Sequence, residues 1–278
     1  MKQVSIVKAD GSTRQFSFKK LVNSVKRSGA SSVIAKDVAT AVLKKLPPKV
    51  TTNQIYDLIY KELRGARMHP VAQIYSLRRS LSDLSPEEWE KYTAKLFSYY
   101  GYKTEWNKII PGAAVEHQVD VVATKGNKQW LIECKHHYSF HNDTGLGEVL
   151  RVQARLEDIQ DGYKKKTTKY NFSGAWLVVN TKFSDHAKRY SAAKGLKLSG
   201  WRYPDQYSLE RLIQDQSVFP VTILNVDKKT QNFLLHNGII TIQDLLDISP
   251  KLRNMLNVNK LKKLHNQINK LIEYNGSL

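Results

Sequence analysis

Residues 115–135 constrain this chain more than any other stretch. Residues 115–123 and 129–135 are two β-rich runs, and the Gly126-Asn127 pair between them signals a hairpin. Side chains alternate along a strand, so Glu133 and Lys135 share one face while Ile132 and Cys134 take the other. A carboxylate and an ammonium at alternate positions of an apolar strand call for an explanation. Burying either charge alone is expensive, and a mutual ion pair seldom recovers the full desolvation cost. A metal ion held by Asp120 and Glu133 changes that balance. Hard divalent cations prefer oxygen, and Mg²⁺ (or Mn²⁺) is usually held by one or two carboxylates together with phosphate and water. Lys135 then stands beside the metal, where it can orient an attacking water or offset charge on a phosphate. The alternative reading is a half-buried hairpin with a structural salt bridge.

Charge points the same way. The 278 residues carry 44 Lys+Arg against 25 Asp+Glu, a formal net charge of +19. Such a surplus favours an anionic partner, nucleic acid first and a membrane surface second. No apolar run approaches the ~20 residues of a membrane span, and the first residues lack a signal core. One cysteine, Cys134, excludes an intramolecular disulfide and a Cys-based zinc site. A soluble, cytoplasmic protein is expected, with two or three domains at ~150 residues each.

Asp followed by Glu-x-Lys on adjacent strands resembles the PD-(D/E)xK nucleases. The flanks are most similar to the Mrr-like restriction endonucleases: Trp89-Glu90 on a helix ending at Gly101-Tyr102, then Val119-Asp120-Val121, then Ile132-Glu133-Cys134-Lys135. The resemblance covers about residues 86–212. It implies an α/β, restriction-endonuclease-like three-layer core with Asp120, Glu133 and Lys135 catalytic and the metal on Asp120 and Glu133. It also implies that Glu90 completes the metal shell or its water network, and that Gln153, on a helix read over 150–163, contacts the site. His136, His137 and His141 lack regular ligand spacing, so they are expected to line the active-site mouth and touch DNA phosphates rather than hold zinc.

Ahead of this core, residues 3–8 and 13–18 read as a hairpin around Asp10-Gly11, followed by four helices. This order resembles the ATP-cone, a nucleotide-sensing module, through Val7-Lys8-Ala9-Asp10-Gly11, Phe16, Lys20-Leu21, the run Val50-Thr51-Thr52-Asn53-Gln54-Ile55, and Ala72, Tyr75 and Arg78. The resemblance implies ATP or dATP as a regulatory ligand. Lys8, Arg14 and Lys20 would face phosphates, with Ile6, Leu21 and Thr52 near the base and sugar. The chain contains no Walker-type Gly-x-x-x-x-Gly-Lys-(Ser/Thr), so nucleotide hydrolysis is not expected.

Residues 221–278 read as an all-α domain of four helices. With Asn237-Gly238-Ile239 as a tight turn, they resemble helix-hairpin-helix modules that bind DNA or drive assembly. The expected boundaries are therefore 1–84, 85–220 and 221–278, with Ser85 capping a helix that starts at Pro86. The resemblances together imply a Mg²⁺-dependent DNA endonuclease of restriction or phage-defence type, regulated by ATP or dATP and acting as a homo-oligomer. The alternatives are a nucleotide-responsive DNA-binding regulator with an inactive nuclease fold, or a junction or repair nuclease.

Overall fold

A computed structural model describes residues 4–7, 11–139 and 142–277. The chain divides into two compact units, one of Met1–Leu77 with Lys262–Leu278 and one of Arg78–Leu261. Among the described residues no helix is long and apolar enough to cross a membrane.

The first unit holds β1 (Ser5–Val7), β2 (Thr13–Gln15), α1 (Phe18–Lys26), α2 (Ser32–Lys45), β3 (Lys49–Thr51), α3 (Thr52–Gly65) and most of α4 (His69–Ser82). Its sheet has the order β2-β1-β3, with β1 antiparallel to β2 and parallel to β3. Hydroxyl caps set the helix starts. Ser17 and Ser31 accept from the amides of Lys20 and Ile34, and Thr51 forms a reciprocal capping box with Gln54. The apolar stripes of α1 to α3 meet in one core through Leu21, Val25, Val38, Val42, Ile59 and Leu63. Tyr274, near the end of the last helix, packs against that core, and its hydroxyl donates to the Ser28 carbonyl at 3.2 Å.

The second unit is built on α5 (Pro86–Tyr99), β4 (Lys103–Pro111), β5 (Glu116–Lys125), β6 (Lys128–Lys135), β7 (Asp143–Thr144), α6 (Leu146–Lys164), β8 (Phe172–Val179), β9 (Lys182–Phe183), α7 (Asp185–Lys194), β10 (Lys197–Ser199) and α8 (Leu209–Asp215). Ser85 and Glu88 form the capping box that starts α5 behind Pro86. The main sheet runs β10-β8-β6-β5-β4. Strands β4, β5 and β6 are an antiparallel meander, and β6, β8 and β10 are parallel, joined by crossovers through α6 and α7. Gly126, at φ +60°, closes the β5–β6 hairpin, a conformation glycine adopts at no steric cost. Phe97 of α5 meets Trp176 edge-on at 4.9 Å, whereas Val149, Val152, Leu156 and Ile159 of α6 pack on Val119, Leu131, Ala175 and Leu177. The result is an α/β three-layer core.

One element differs from the sequence reading. Helix α6 begins at Leu146 rather than Leu150, with Gly145 as its N-cap, a position glycine tolerates well. Further along the chain come the helices α9 (Lys228–His236), α10 (Ile242–Leu246) and α11 (Pro250–Met255) of the second unit, and α12 (Val258–Gly276), whose residues 262–276 belong to the first unit.

Candidate active site

Asp120 lies on β5 and Glu133 on β6. Val121 opposes Ile132, so the same register carried one residue further sets the two carboxylates across from each other. Asp120 is only 9% exposed, and its Oδ2 accepts the Cys134 amide at 2.7 Å. That bond fixes the carboxylate against the neighbouring strand and leaves Oδ1 for a ligand.

Glu133 is half-buried, and the Arg155 guanidinium of α6 donates to its Oε2. Lys135, two residues along β6, places its Nζ 3.3 Å from Glu148 Oε1 in the first turn of α6. Arg151 pairs with the same Glu148 oxygen. Glu90 of α5 accepts the Trp106 indole N–H at 2.9 Å.

The electrostatics follow from this crowding. Burial pushes the Glu133 carboxyl up to about 7; the charges of Asp120, Glu148 and Glu90 push it the same way, against Arg155. Burial also raises Asp120, outweighing the Cys134 amide and Arg155. Glu90 is raised by burial first and by Asp120 next. Carboxylates that repel one another in a half-buried site attract a cation, and the donors are all oxygen. Among the described residues no group of three or more His, Cys, Asp or Glu side chains is arranged to hold a metal. What fits a hard divalent ion is the chemistry of the two facing carboxylates, whose donors are all oxygen, with phosphate and water left to complete a shell.

Of the residues expected at this site, Asp120, Glu133 and Glu90 act on one another electrostatically, and Lys135 joins them through its ion pair with Glu148. Gln153 is not. Two residues from Arg155, it lies more than half a turn round α6, and its amide donates to Glu157 at 2.6 Å. The histidines that follow β6 are tied to neighbouring groups, and His137 lies near enough to Lys135 and Glu148 to feel their charges. His136 Nε2 lies 3.1 Å from the Leu81 carbonyl with its ring against Trp89, and His137 Nε2 lies 3.0 Å from Thr144 Oγ1. Both are fasteners for the end of β6, and burial lowers both. His141 lies outside the described residues.

Sequence reasoning missed Glu148, Arg151 and Arg155, and it missed a clamp one turn further along α6. Asp158 accepts the Ala114 and Val115 amides at 2.9 and 3.3 Å, and His117 Nε2 lies 2.7 Å from its Oδ2. A Cβ at Gly112 would fall 2.0 Å from that same oxygen, so the β4–β5 turn approaches α6 only because residue 112 is glycine.

In the first unit, Ile6 of β1 pairs with Arg14 of β2 and Val50 of β3. Arg14 and Lys20 are exposed, and Thr52 opens α3 half-buried. Leu21 departs from its expected place beside a base: it is 5% exposed and belongs to the core. Lys8 lies outside the described residues.

Three family models match the chain. Residues 4–84 match the ATP cone domain, 81–200 a restriction endonuclease family, and 219–272 the AF1548-like C-terminal family. A protein of Archaeoglobus fulgidus described as an uncharacterized protein is 34% identical over 184 residues, covering 64% of this chain and 99% of the relative. A solved structure titled "Crystal Structure of Protein of Unknown Function AF1548" is 32% identical, with a TM-score of 0.55 over 70% of this chain and 100% of that one. By these matches the chain belongs to the family of the Archaeoglobus protein, with an ATP cone fused ahead of its Mrr-like restriction-endonuclease module.

Proposed function

We propose that this protein is a Mg²⁺-dependent DNA endonuclease of the restriction or phage-defence type, acting in the cytoplasm and regulated by ATP or dATP at its N-terminal module. The observation that carries the reading is the facing pair Asp120 and Glu133 with Lys135 on the same strand, in a module matched to restriction endonucleases.

Asp120 and Glu133 would hold the metal ion, and Mn²⁺ should replace Mg²⁺. When bound, the ion supplies Lewis-acid stabilisation of the phosphoryl oxygens. The chain's own groups do the rest. The Cys134 amide works against protonation of buried Asp120 and keeps the carboxylate oriented toward the facing strand. Lys135, held by Glu148 and aimed along the strand face of Glu133, offers a cationic donor to the scissile phosphate. Glu90, fixed by Trp106, supplies an acceptor for ordered water beside Asp120. Water would attack phosphorus in line as the bond to the leaving oxygen breaks; the proton given up by the attacking water passes to solvent, and the leaving oxygen takes one up from solvent. The net charge of +19 supports DNA as the substrate. Binding of ATP or dATP at the N-terminal module would act by shifting the association of a homo-oligomer, which requires different affinities for its two states.

One observation favours a rival, a nucleotide-responsive DNA clamp without cleavage: Glu133 already has a counter-charge in Arg155. Incubating purified protein with plasmid and Mg²⁺, Mn²⁺ or chelator separates the two. Cleavage with metal, lost in Asp120→Ala, supports the nuclease; binding without cleavage under every metal supports the clamp.

A further inference from the structure

Glu133 and Arg155 are 21% and 24% exposed at their side chains, and among the described residues this is the ion pair each of them makes. Lys135, the cation expected to attend the site, is turned to Glu148 instead. Arg155 therefore occupies the carboxylate that a divalent ion would need. The backbone beneath it has little freedom. Val152, Leu156 and Ile159 anchor α6 in the core on one side, and Asp158 fastens the helix to the β4–β5 turn. The side chain above is long and has rotamer freedom, so leaving Glu133 requires no movement of the helix.

We propose that Arg155 is an exchangeable counter-ion: it neutralises Glu133 in the metal-free protein, yields that carboxylate to the divalent ion, and then turns its guanidinium to the phosphate of the bound DNA strand. This rests on the metal-dependent nuclease reading. Two consequences follow from the exchange. The guanidinium competes with metal for Glu133, so its removal tightens metal binding. Once displaced, its planar fork matches a phosphate in two parallel hydrogen bonds, so metal binding and DNA binding favour each other through this one side chain.

The test uses the full chain and two readouts that need no turnover. The first is calorimetric titration with Mn²⁺ in the absence of DNA. Arg155→Met should bind Mn²⁺ about fivefold more tightly than wild type, as expected when a competing ion pair worth roughly 1 kcal/mol is removed. The second is affinity for a DNA duplex with and without Ca²⁺, used as a non-cleaving ion. The gain in DNA affinity on adding Ca²⁺ should be smaller in Arg155→Met than in wild type. Arg155→Lys keeps a charge and carries the test should the Met variant fail to fold; it should tighten Mn²⁺ binding by a smaller factor and lose part of the Ca²⁺-linked gain. Unchanged or weaker Mn²⁺ binding in a folded variant, or an undiminished Ca²⁺ effect, overturns the exchange. Failure of the underlying reading looks different: wild type would bind no Mn²⁺, or Asp120→Ala would bind it as well as wild type does.

Discussion

The carboxylate cluster and the N-terminal hairpin are two candidate sites built in opposite ways. In the first, Asp120 and Glu133 stand on strands of ten and eight residues inside a five-stranded sheet, and their partners come from helices fixed in the core. In the second, Ile6 and Arg14 stand on strands of three residues, and Arg14 and Lys20 are exposed. A rigid framework places groups to within the tolerance that chemistry demands, and exposed groups on short strands suit reversible recognition. The difference implies that substitutions in the first site remove a reaction while leaving the fold, whereas substitutions in the second separate ligand recognition from packing.

The largest effect expected is in the first site. Asp120→Ala, Glu133→Ala and Lys135→Ala should each reduce plasmid cleavage at least about a hundredfold. DNA binding should persist, and should strengthen for the two carboxylate variants because repulsion of phosphate falls. Cleavage by Glu133→Ala at the wild-type rate with Mg²⁺ would sink the assignment.

In the second site the contrast is internal. Leu21→Ala should cost about 2–4 kcal/mol of stability as a buried truncation, read in a denaturant melt. Arg14→Ala/Lys20→Ala should leave that melt unchanged and weaken ATP or dATP binding about tenfold, the scale of a hydrogen bond to a charged group. No phosphate should be released from ATP by any of these proteins. Equal loss of stability in both variants would erase the distinction between packing and recognition.

Two pH experiments sharpen the comparison further. Glu133 is raised from 4.5 to about 7. Its folded form thus holds a proton that the unfolded chain has lost, and this stabilising contribution, full below the unfolded value, is lost as pH rises through about 7. Metal competes with that proton, so Mn²⁺ affinity should climb across the same interval, and Glu133→Gln should flatten the climb near 7, leaving the part due to Asp120. Asp158 behaves in the opposite sense. Its hydrogen bond with His117, backed by the Ala114 and Val115 amides, holds its carboxyl below the ordinary value. Its contribution is present above the ordinary carboxylate pKa and is lost as pH falls. Asp158→Asn should flatten the acid side of the stability profile; an unchanged profile would mean that the clamp carries no linkage.

The smallest effect concerns the helical tail. Replacing Lys251, Arg253, Lys262 and Lys263 by alanine should reduce the slope of log affinity for DNA against log salt by up to about 0.9 for each phosphate that is no longer neutralised. An unchanged slope would assign these helices to assembly.

The hairpin, its facing carboxylates and the capped start of α5 were legible because each rests on local chemistry: a Gly-Asn turn, strand alternation, a Ser-Pro-Glu-Glu start. Glu148 and Arg155 were not. Glu148 sits in a helical turn flanked by Gly145 and Gly147, which read as loop, and Arg155 lies 22 positions from the carboxylate it meets. No short-range signal joins them. Gln153 shows the converse failure: a residue type carried over by likeness of fold, placed on the wrong side of the helix by two positions. For Leu21 a signal was present, since Val25 follows at helical spacing and marks both as core.

The meeting of Tyr274 with Ser28 has a consequence for how the chain is made. The hydroxyl reaches the Ser28 carbonyl across 246 positions of sequence. A ribosome delivers the N-terminal strands and helices long before the residue that seals them, so the first unit waits, with part of its apolar surface uncovered, until α12 emerges. Pairings of such long range raise the entropic cost of closure and slow folding. A chain cut short before α12 would thus present a first unit whose strands and helices are translated yet whose core is unfinished, which ties completion of that fold to completion of synthesis.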